Sequence, residues 1–173
     1  MGSHQSANAV TTTWLTPPDI LAALGSFDLD PCAAPEPRPW PTATVHWTRT
    51  DNPLNRAWLG RVWLNPPFSP RPTIEAFLGR LAEHGCGIAL LFARTETDLF
   101  FRLVWERASS VLFLRGRPHF HHPDGRKARA NSGCPIVLAS YGEADAATLR
   151  ECGLAGQWFA LTNAALQGSA NEA

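Results

Sequence analysis

The sequence predicts an α/β protein with a mostly parallel central sheet and flanking helices. Three observations carry this. Residues 87–93, Gly-Ile-Ala-Leu-Leu-Phe-Ala, form an unbroken apolar run, the pattern of a parallel strand buried on both faces. Before it, Ile74, Phe77, Leu78 and Leu81 recur at helical spacing over 72–84, and Gly85 supplies a terminator. Before that helix, the apolar run 61–64 stops at Asn65-Pro66-Pro67-Phe68. Strand, helix and strand over 61–93 make one right-handed crossover unit.

The remaining elements follow in order. Residues 1–13 are small and polar and are expected to be flexible, as is the tail 164–173; the single domain spans 14–163. Thr16-Pro17-Pro18-Asp19 is a helix entry, and the helix ends at Gly25. Phe27 and Leu29 alternate with Asp28 and Asp30 as in a short strand. Residues 35–41 are a proline-rich connector, 45–47 a short strand, and Asp51-Asn52-Pro53 a turn. Thr97 caps a helix over 98–108, with Leu99, Phe100, Leu103 and Val104 on its apolar side. Residues 110–114 and 136–139 are strands, 143–152 a helix, and 157–161 a last strand or turn.

Composition narrows the function. Fifteen basic and fifteen acidic residues cancel, so a strongly basic nucleic-acid binder is not indicated, while local contact with nucleic acid stays open. Cys32, Cys86, Cys134 and Cys152 are widely spaced with no C-x-x-C pair. That argues against a disulfide scaffold or zinc knuckle and for reduced, mostly buried thiols, as in a cytoplasm. No apolar run approaches the ~18 residues of a membrane span, and no signal-peptide pattern opens the chain.

The segment 62–69 concentrates chemistry. Proline fixes φ, has no N–H and restricts the residue before it. The carbonyls of Asn65 and Pro66 are thereby kept out of an immediate helical turn. The Asn65 amide adds an acceptor and donors, and Phe68 adds a flat face. Such a loop suits a planar heterocycle carrying an exocyclic amine; the alternative is a proline-rich turn and nothing more. Asp30, delivered by its strand into Pro31-Cys32, either binds a cofactor amine or hydroxyl or caps the following turn. Asp51 poses the same choice. Arg94, at the same sheet edge, would meet a phosphate, a carboxylate or Glu96. Five of the fifteen basic residues, Arg115, Arg117, Arg126, Lys127 and Arg129, cluster with His119, His121 and His122. They form either a loop facing a phosphodiester backbone or a solvated loop. No third well-spaced ligand joins His119 and His121, so no metal site is expected.

The motifs together resemble the phage-type, Dam-like DNA N6-adenine methyltransferases. Trp14-Leu15-Thr16-Pro17 resembles that family's Trp-x-Thr-Pro, and Phe27-Asp28-Leu29-Asp30-Pro31-Cys32-Ala33 its Leu-Asp-x-Ala-Ala segment. Residues Gly60 to Ser69 resemble its catalytic block, Leu91 to Asp98 the next strand end, and Phe113-Leu114-Arg115-Gly116-Arg117-Pro118-His119-Phe120 its Arg-Gly-Arg-x-x-Phe segment. The resemblance implies a Rossmann-like, S-adenosylmethionine-dependent methyltransferase fold, compact and without a separate target-recognition domain. It implies S-adenosyl-L-methionine as methyl donor, S-adenosyl-L-homocysteine as product, and a flipped-out adenine in DNA as acceptor. Asn65, Pro66, Pro67 and Phe68 become the catalytic loop. Thr16, Pro17, Asp30, Pro31, Cys32, Asp51 and Asn65 become cofactor contacts. Ser69, Arg94, Arg115, Arg117, His119, Arg126, Lys127 and Arg129 become DNA contacts. Two departures stand out: Phe68 replaces the frequent Tyr, and Asp30-Pro31-Cys32-Ala33 stands where larger methyltransferases carry Phe-x-Gly-x-Gly. Other readings are a cytosine-N4 methyltransferase, or an inactive protein binding nucleic acid or nucleotide in the same pocket. The expected setting is a bacterial or phage-infected cytoplasm, with DNA as partner, no membrane, and an oligomeric state open between monomer and weak homodimer.

Overall fold

The computed structural model describes residues 13–162; the two segments expected to be flexible lie outside them, Thr13 apart. A seven-stranded sheet runs through the molecule. Its strands are β1 (Leu29–Asp30), β2 (Val45–His46), β3 (Val62–Leu64), β4 (Gly87–Phe92), β5 (Ser110–Leu114), β6 (Ile136–Tyr141) and β7 (Gly156–Ala160), in the order β2-β1-β3-β4-β6-β5-β7. Helices α1 (Pro18–Leu24), α2 (Arg71–His84), α3 (Asp98–Phe100, continued by a wider turn over Phe101–Trp105) and α4 (Glu143–Glu151) cover it.

The expectation of a mostly parallel sheet needs a correction. β2, β1, β3 and β4 are mutually parallel, but β6 enters antiparallel between β4 and β5, and β7 is antiparallel to β5. Five strands therefore share one direction, while half of the neighbouring pairs are antiparallel and the sheet is mixed. The run 87–93 is parallel to β3 alone; its longest pairing is the antiparallel one with β6. Burial on both faces does not distinguish the two cases.

The period-2 alternation of strands sorts the core into two layers. Val62, Leu64, Ala89, Leu91, Val137 and Ala139 face α2 and α3, where Phe77, Leu78, Leu81, Phe100 and Val104 complete the packing. Trp63, Ile88, Leu90, Ile136 and Leu138 face the opposite way, onto Ile20, Leu21 and Leu24 of α1 and Leu149 of α4. Helix α2 stops where Gly85 takes a left-handed conformation (φ 72°), and its N–H closes on Leu81 O at 2.9 Å.

Two local departures have physical causes. The helix expected over 98–108 keeps its Thr97 cap but widens after Phe100. The Glu106 N–H reaches back five residues to Phe101 O, and the buried Tyr141 hydroxyl donates to Leu103 O at 2.6 Å, taking a carbonyl the helix would use. All four cysteines are free and intermediate in exposure, each beside a strand start, a strand end or a helix terminus.

One half-buried ion pair ties the sheet to the helices of the second layer. Arg61 Nε donates to Asp145 Oδ1 at 2.7 Å, and its Nη1 donates to Leu24 O and Ser26 O. The guanidinium also lies 4.2 Å from the centre of the Phe27 ring. The start of β3 is thus fixed to α1 and α4, which sets where its other end emerges.

Candidate active site

Parallel β1, β3 and β4 end at one edge of the sheet and deliver Asp30, Asn65 and Arg94 there. β5 points the same way, so Arg115 and Arg117 follow at that edge beyond β6. Open α/β sheets commonly hold their ligands just beyond such strand ends.

Asn65 is the best-defined member. Its Nδ2 donates to Trp14 O and to Thr16 Oγ1, each at 3.2 Å. Its Oδ1 is buried and has no hydrogen-bond partner among the described residues. Leaving a buried acceptor unmet costs about 1–3 kcal/mol, and a bound ligand is one of the explanations such a group admits. Pro66 is buried, and its carbonyl accepts no backbone hydrogen bond among the described residues. Pro67 and Ser69 are exposed. The Phe68 ring stacks on Phe92, centroids 3.9 Å apart and planes 14° off parallel. One of its faces is therefore already covered, and Phe92 in turn lies 6.0 Å from the Arg94 guanidinium.

Asp30 is almost fully buried, at 3% exposure. Oδ1 accepts from the Cys32 N–H at 2.9 Å, and Oδ2 accepts from the Thr42 hydroxyl. Burial lifts its pKa from 3.8 to about 6, against the pull of Thr42, Cys32 and Arg38. Burial also pushes the Cys32 thiol up, and the neighbouring Asp30 charge adds to that. Pro31 is buried beside them. Thr16 is 2% exposed, and Pro17 O accepts from the N–H groups of Ile20 and Leu21 to start α1. Asp51 is differently engaged: its Oδ2 accepts from the N–H and hydroxyl of Thr48, both at 2.8 Å, which holds its carboxyl below the usual range. Among the described residues its carboxylate bonds Thr48, not Asp30 or Asn65.

The basic loop is joined to this edge. Leu15 and His121 exchange backbone hydrogen bonds of 2.9 and 3.0 Å, and His121 bridges in turn to Lys127. Trp14 packs against His122, and Trp40 meets His121 edge-on, with centroids 5.1 and 5.2 Å apart. Gly125 adopts φ +85° at the loop tip, where a Cβ would press on Pro39 at 3.1 Å. The proline-rich connector and the basic loop therefore pack on each other. Arg115, Arg117, Arg126, Lys127 and Arg129 are all exposed; Arg126 pairs with Asp124 at 2.7 Å. His119 Nδ1 donates to Ala128 O at 3.0 Å and so serves the loop itself. An open cleft of about 520 Å³ separates Pro17–Ile20 from Pro118, His119 and Lys127. Among the described residues, no three His, Cys, Asp or Glu side chains gather as metal ligands, and no helix is long and apolar enough to cross a membrane.

Sequence reasoning missed three participants. Thr42 holds Asp30 from twelve residues away, the Trp14 carbonyl holds Asn65 from fifty-one, and Phe92 backs Phe68. Only Phe92, an aromatic at the end of a buried strand, had a visible signal.

The fold is a mixed α/β sheet that places an amide, a carbonyl without a backbone partner among the described residues, and an aromatic ring after one central strand. The family model described as DNA N-6-adenine-methyltransferase (Dam) matches residues 3–144, and the chain belongs to that family. No curated protein and no solved structure matches it.

Proposed function

We propose that the protein transfers a methyl group from S-adenosylmethionine to the N6 amine of an adenine flipped out of DNA, on a Rossmann-like domain without a separate target-recognition domain. The observation that carries this reading is the buried, unpartnered Asn65 Oδ1 beside the free Pro66 carbonyl.

The residues present fit the donor. Asp30 is a buried carboxyl at a sheet edge, suited to an amine or hydroxyl donor. With Pro31, Cys32 and Pro17 it would hold S-adenosylmethionine, and Asp51 would lie at the rim. When bound, that group supplies an electrophilic methyl and leaves as S-adenosylhomocysteine.

The chain's own part is electrostatic and geometric. Asn65 Oδ1 and Pro66 O would accept the two N6 hydrogens. They draw the nitrogen out of conjugation with the ring, direct its lone pair, and stabilise the positive charge that grows on it. The surplus N6 proton then leaves to solvent. No covalent base adduct is needed. The target amine is out of reach inside a duplex, so the base must leave the stack. Phe68, backed by Phe92, would stack on it and recover about 1–3 kcal/mol of the unstacking cost. Arg94, Arg115, Arg117, Lys127 and Arg129, with Arg126, His119 and Ser69, would line the DNA path as phosphate contacts.

The test is methyl incorporation from labelled S-adenosylmethionine into unmethylated DNA, wild type against Asn65→Ala. Transfer by wild type and its loss by a factor of about 10² or more in the variant is expected. Equal transfer by both would remove Asn65 from the chemistry.

A further inference from the structure

The hydrogen bonds around Asn65 assign a task to the segment Trp14–Thr16 beyond any contact with the methyl donor. A primary amide has two faces of similar shape, and only its partners decide which points where. Thr16 Oγ1 alone would not decide it, since a hydroxyl both donates and accepts. The Trp14 carbonyl does decide it, because a carbonyl only accepts. With Trp14 O and Thr16 Oγ1 each 3.2 Å from Nδ2, both amide hydrogens are used on the N-terminal side. Oδ1 is left facing the other way, unmet.

The carbonyl that fixes the amide is itself fixed. Between Trp14 and Thr16, the N–H and C=O of Leu15 are both paired with His121, the Leu15 side chain is buried, and the Trp14 ring rests on His122. Thr16 is nearly inaccessible at 2% exposure, so water does not compete for its hydroxyl. We propose that Thr16, with the Trp14 carbonyl, is the positioning element that orients the Asn65 amide, oxygen toward the acceptor amine. This rests on the reading of Asn65 as the amine clamp and adds what aims it. It further implies that the His121–Lys127 loop braces the catalytic amide from behind.

The test uses the full chain with Thr16→Val, which keeps shape and removes the hydroxyl, Thr16→Ser, which restores it, and Asn65→Ala. Labelled S-adenosylmethionine and unmethylated plasmid DNA serve as substrates. Thr16→Val leaves Trp14 O to set the sense of the amide but removes its second anchor, so the group is held loosely and kcat is expected to fall about 10- to 100-fold. KM for DNA and calorimetric affinity for S-adenosylmethionine should stay within about twofold. Thr16→Ser should recover most of kcat. In the wild type, both Asn65 Nδ2 hydrogens should be protected from exchange in nitrogen-resolved NMR spectra, and Thr16→Val should expose one. Weakened S-adenosylmethionine binding with unchanged kcat at saturation would overturn the proposal and make Thr16 a donor contact. So would full activity of Thr16→Val while Asn65→Ala is inactive, an outcome that leaves the clamp standing. Wild-type activity of Asn65→Ala would remove the clamp and the proposal together. If Thr16→Val does not fold, unprotected Asn65 amide hydrogens in the wild type suffice to overturn it.

Discussion

Replacing Asp30 by Asn should stabilise the protein at neutral pH and remove a pH dependence that the wild type carries. Asp30 is a buried carboxyl whose pKa rises from 3.8 to about 6 on folding, chiefly through loss of solvent. The folded state therefore binds this proton more tightly than the unfolded one. Below 3.8 both states are protonated and nothing is lost. Between 3.8 and 6 the unfolded chain releases the proton first, so stability falls as pH rises; above 6 both are ionised and the loss is complete. At about 1.4 kcal/mol for each pH unit, the full loss is about 3 kcal/mol. Asn keeps an acceptor for the Cys32 N–H and offers Thr42 an N–H in exchange for a hydroxyl donor, so most of the local bonding survives. The assay is equilibrium urea unfolding of both proteins from pH 3.5 to 8. The stability of Asp30→Asn relative to wild type should climb between pH 4 and pH 6 by up to about 3 kcal/mol and then level off. The same variant should bind S-adenosylmethionine more weakly at pH 8, because in the proposed function the ionised acid would accept from its donors. A difference flat across this range, or one growing toward acid, would refute the assignment of a destabilising buried charge at this edge.

Asp145→Ala should cost about 3 kcal/mol or more in chemical denaturation by stranding the Arg61 guanidinium; in the protein that remains folded at low temperature, S-adenosylmethionine affinity should be unchanged by calorimetry. Phe68→Tyr should keep kcat/KM within about threefold, whereas Phe68→Leu should lose about 1–3 kcal/mol of transition-state stabilisation with the stacked ring, read by steady-state kinetics and by the fluorescence of 2-aminopurine at the target base. Neutralising Arg126, Lys127 and Arg129 together should flatten the salt dependence of DNA binding by up to about 0.9 in log–log slope for each phosphate that no longer meets a cation. Arg126 should contribute least, because Asp124 already holds it. An unaltered slope in filter or anisotropy titrations would place the DNA elsewhere.

The parts legible in the sequence were local. Proline chemistry marked the loop after β3, helical spacing marked α2 together with its Gly85 stop, and the Thr97 cap followed from residue type. The apolar run of β4 announced burial on both faces, which its alternating membership of the two core layers bears out. What escaped was long-range. Nothing in residues 136–141 says that they insert antiparallel between β4 and β5. Nothing in Tyr141 says that its hydroxyl opens the helix at Leu103. The bond between Asn65 and Thr16 spans forty-nine residues, and its two partners read separately as a proline loop and a helix entry. Likewise the proline-rich connector and the basic loop each looked like a free surface segment, and only the fold sets Trp40 against His121. Pairings of this kind are decided by which surfaces the sheet brings together, and a local pattern carries no record of that.

The most direct test of the central claim is the identity of the methylated base. Unmethylated DNA incubated with the protein and S-adenosylmethionine, digested to nucleosides and resolved by mass spectrometry, should contain N6-methyldeoxyadenosine. That product should be missing when Asn65 is replaced by Ala. Methylation confined to the cytosine N4 amine would keep the clamp and contradict the choice of base. No methylated nucleoside under conditions where S-adenosylmethionine binds would contradict the account as a whole.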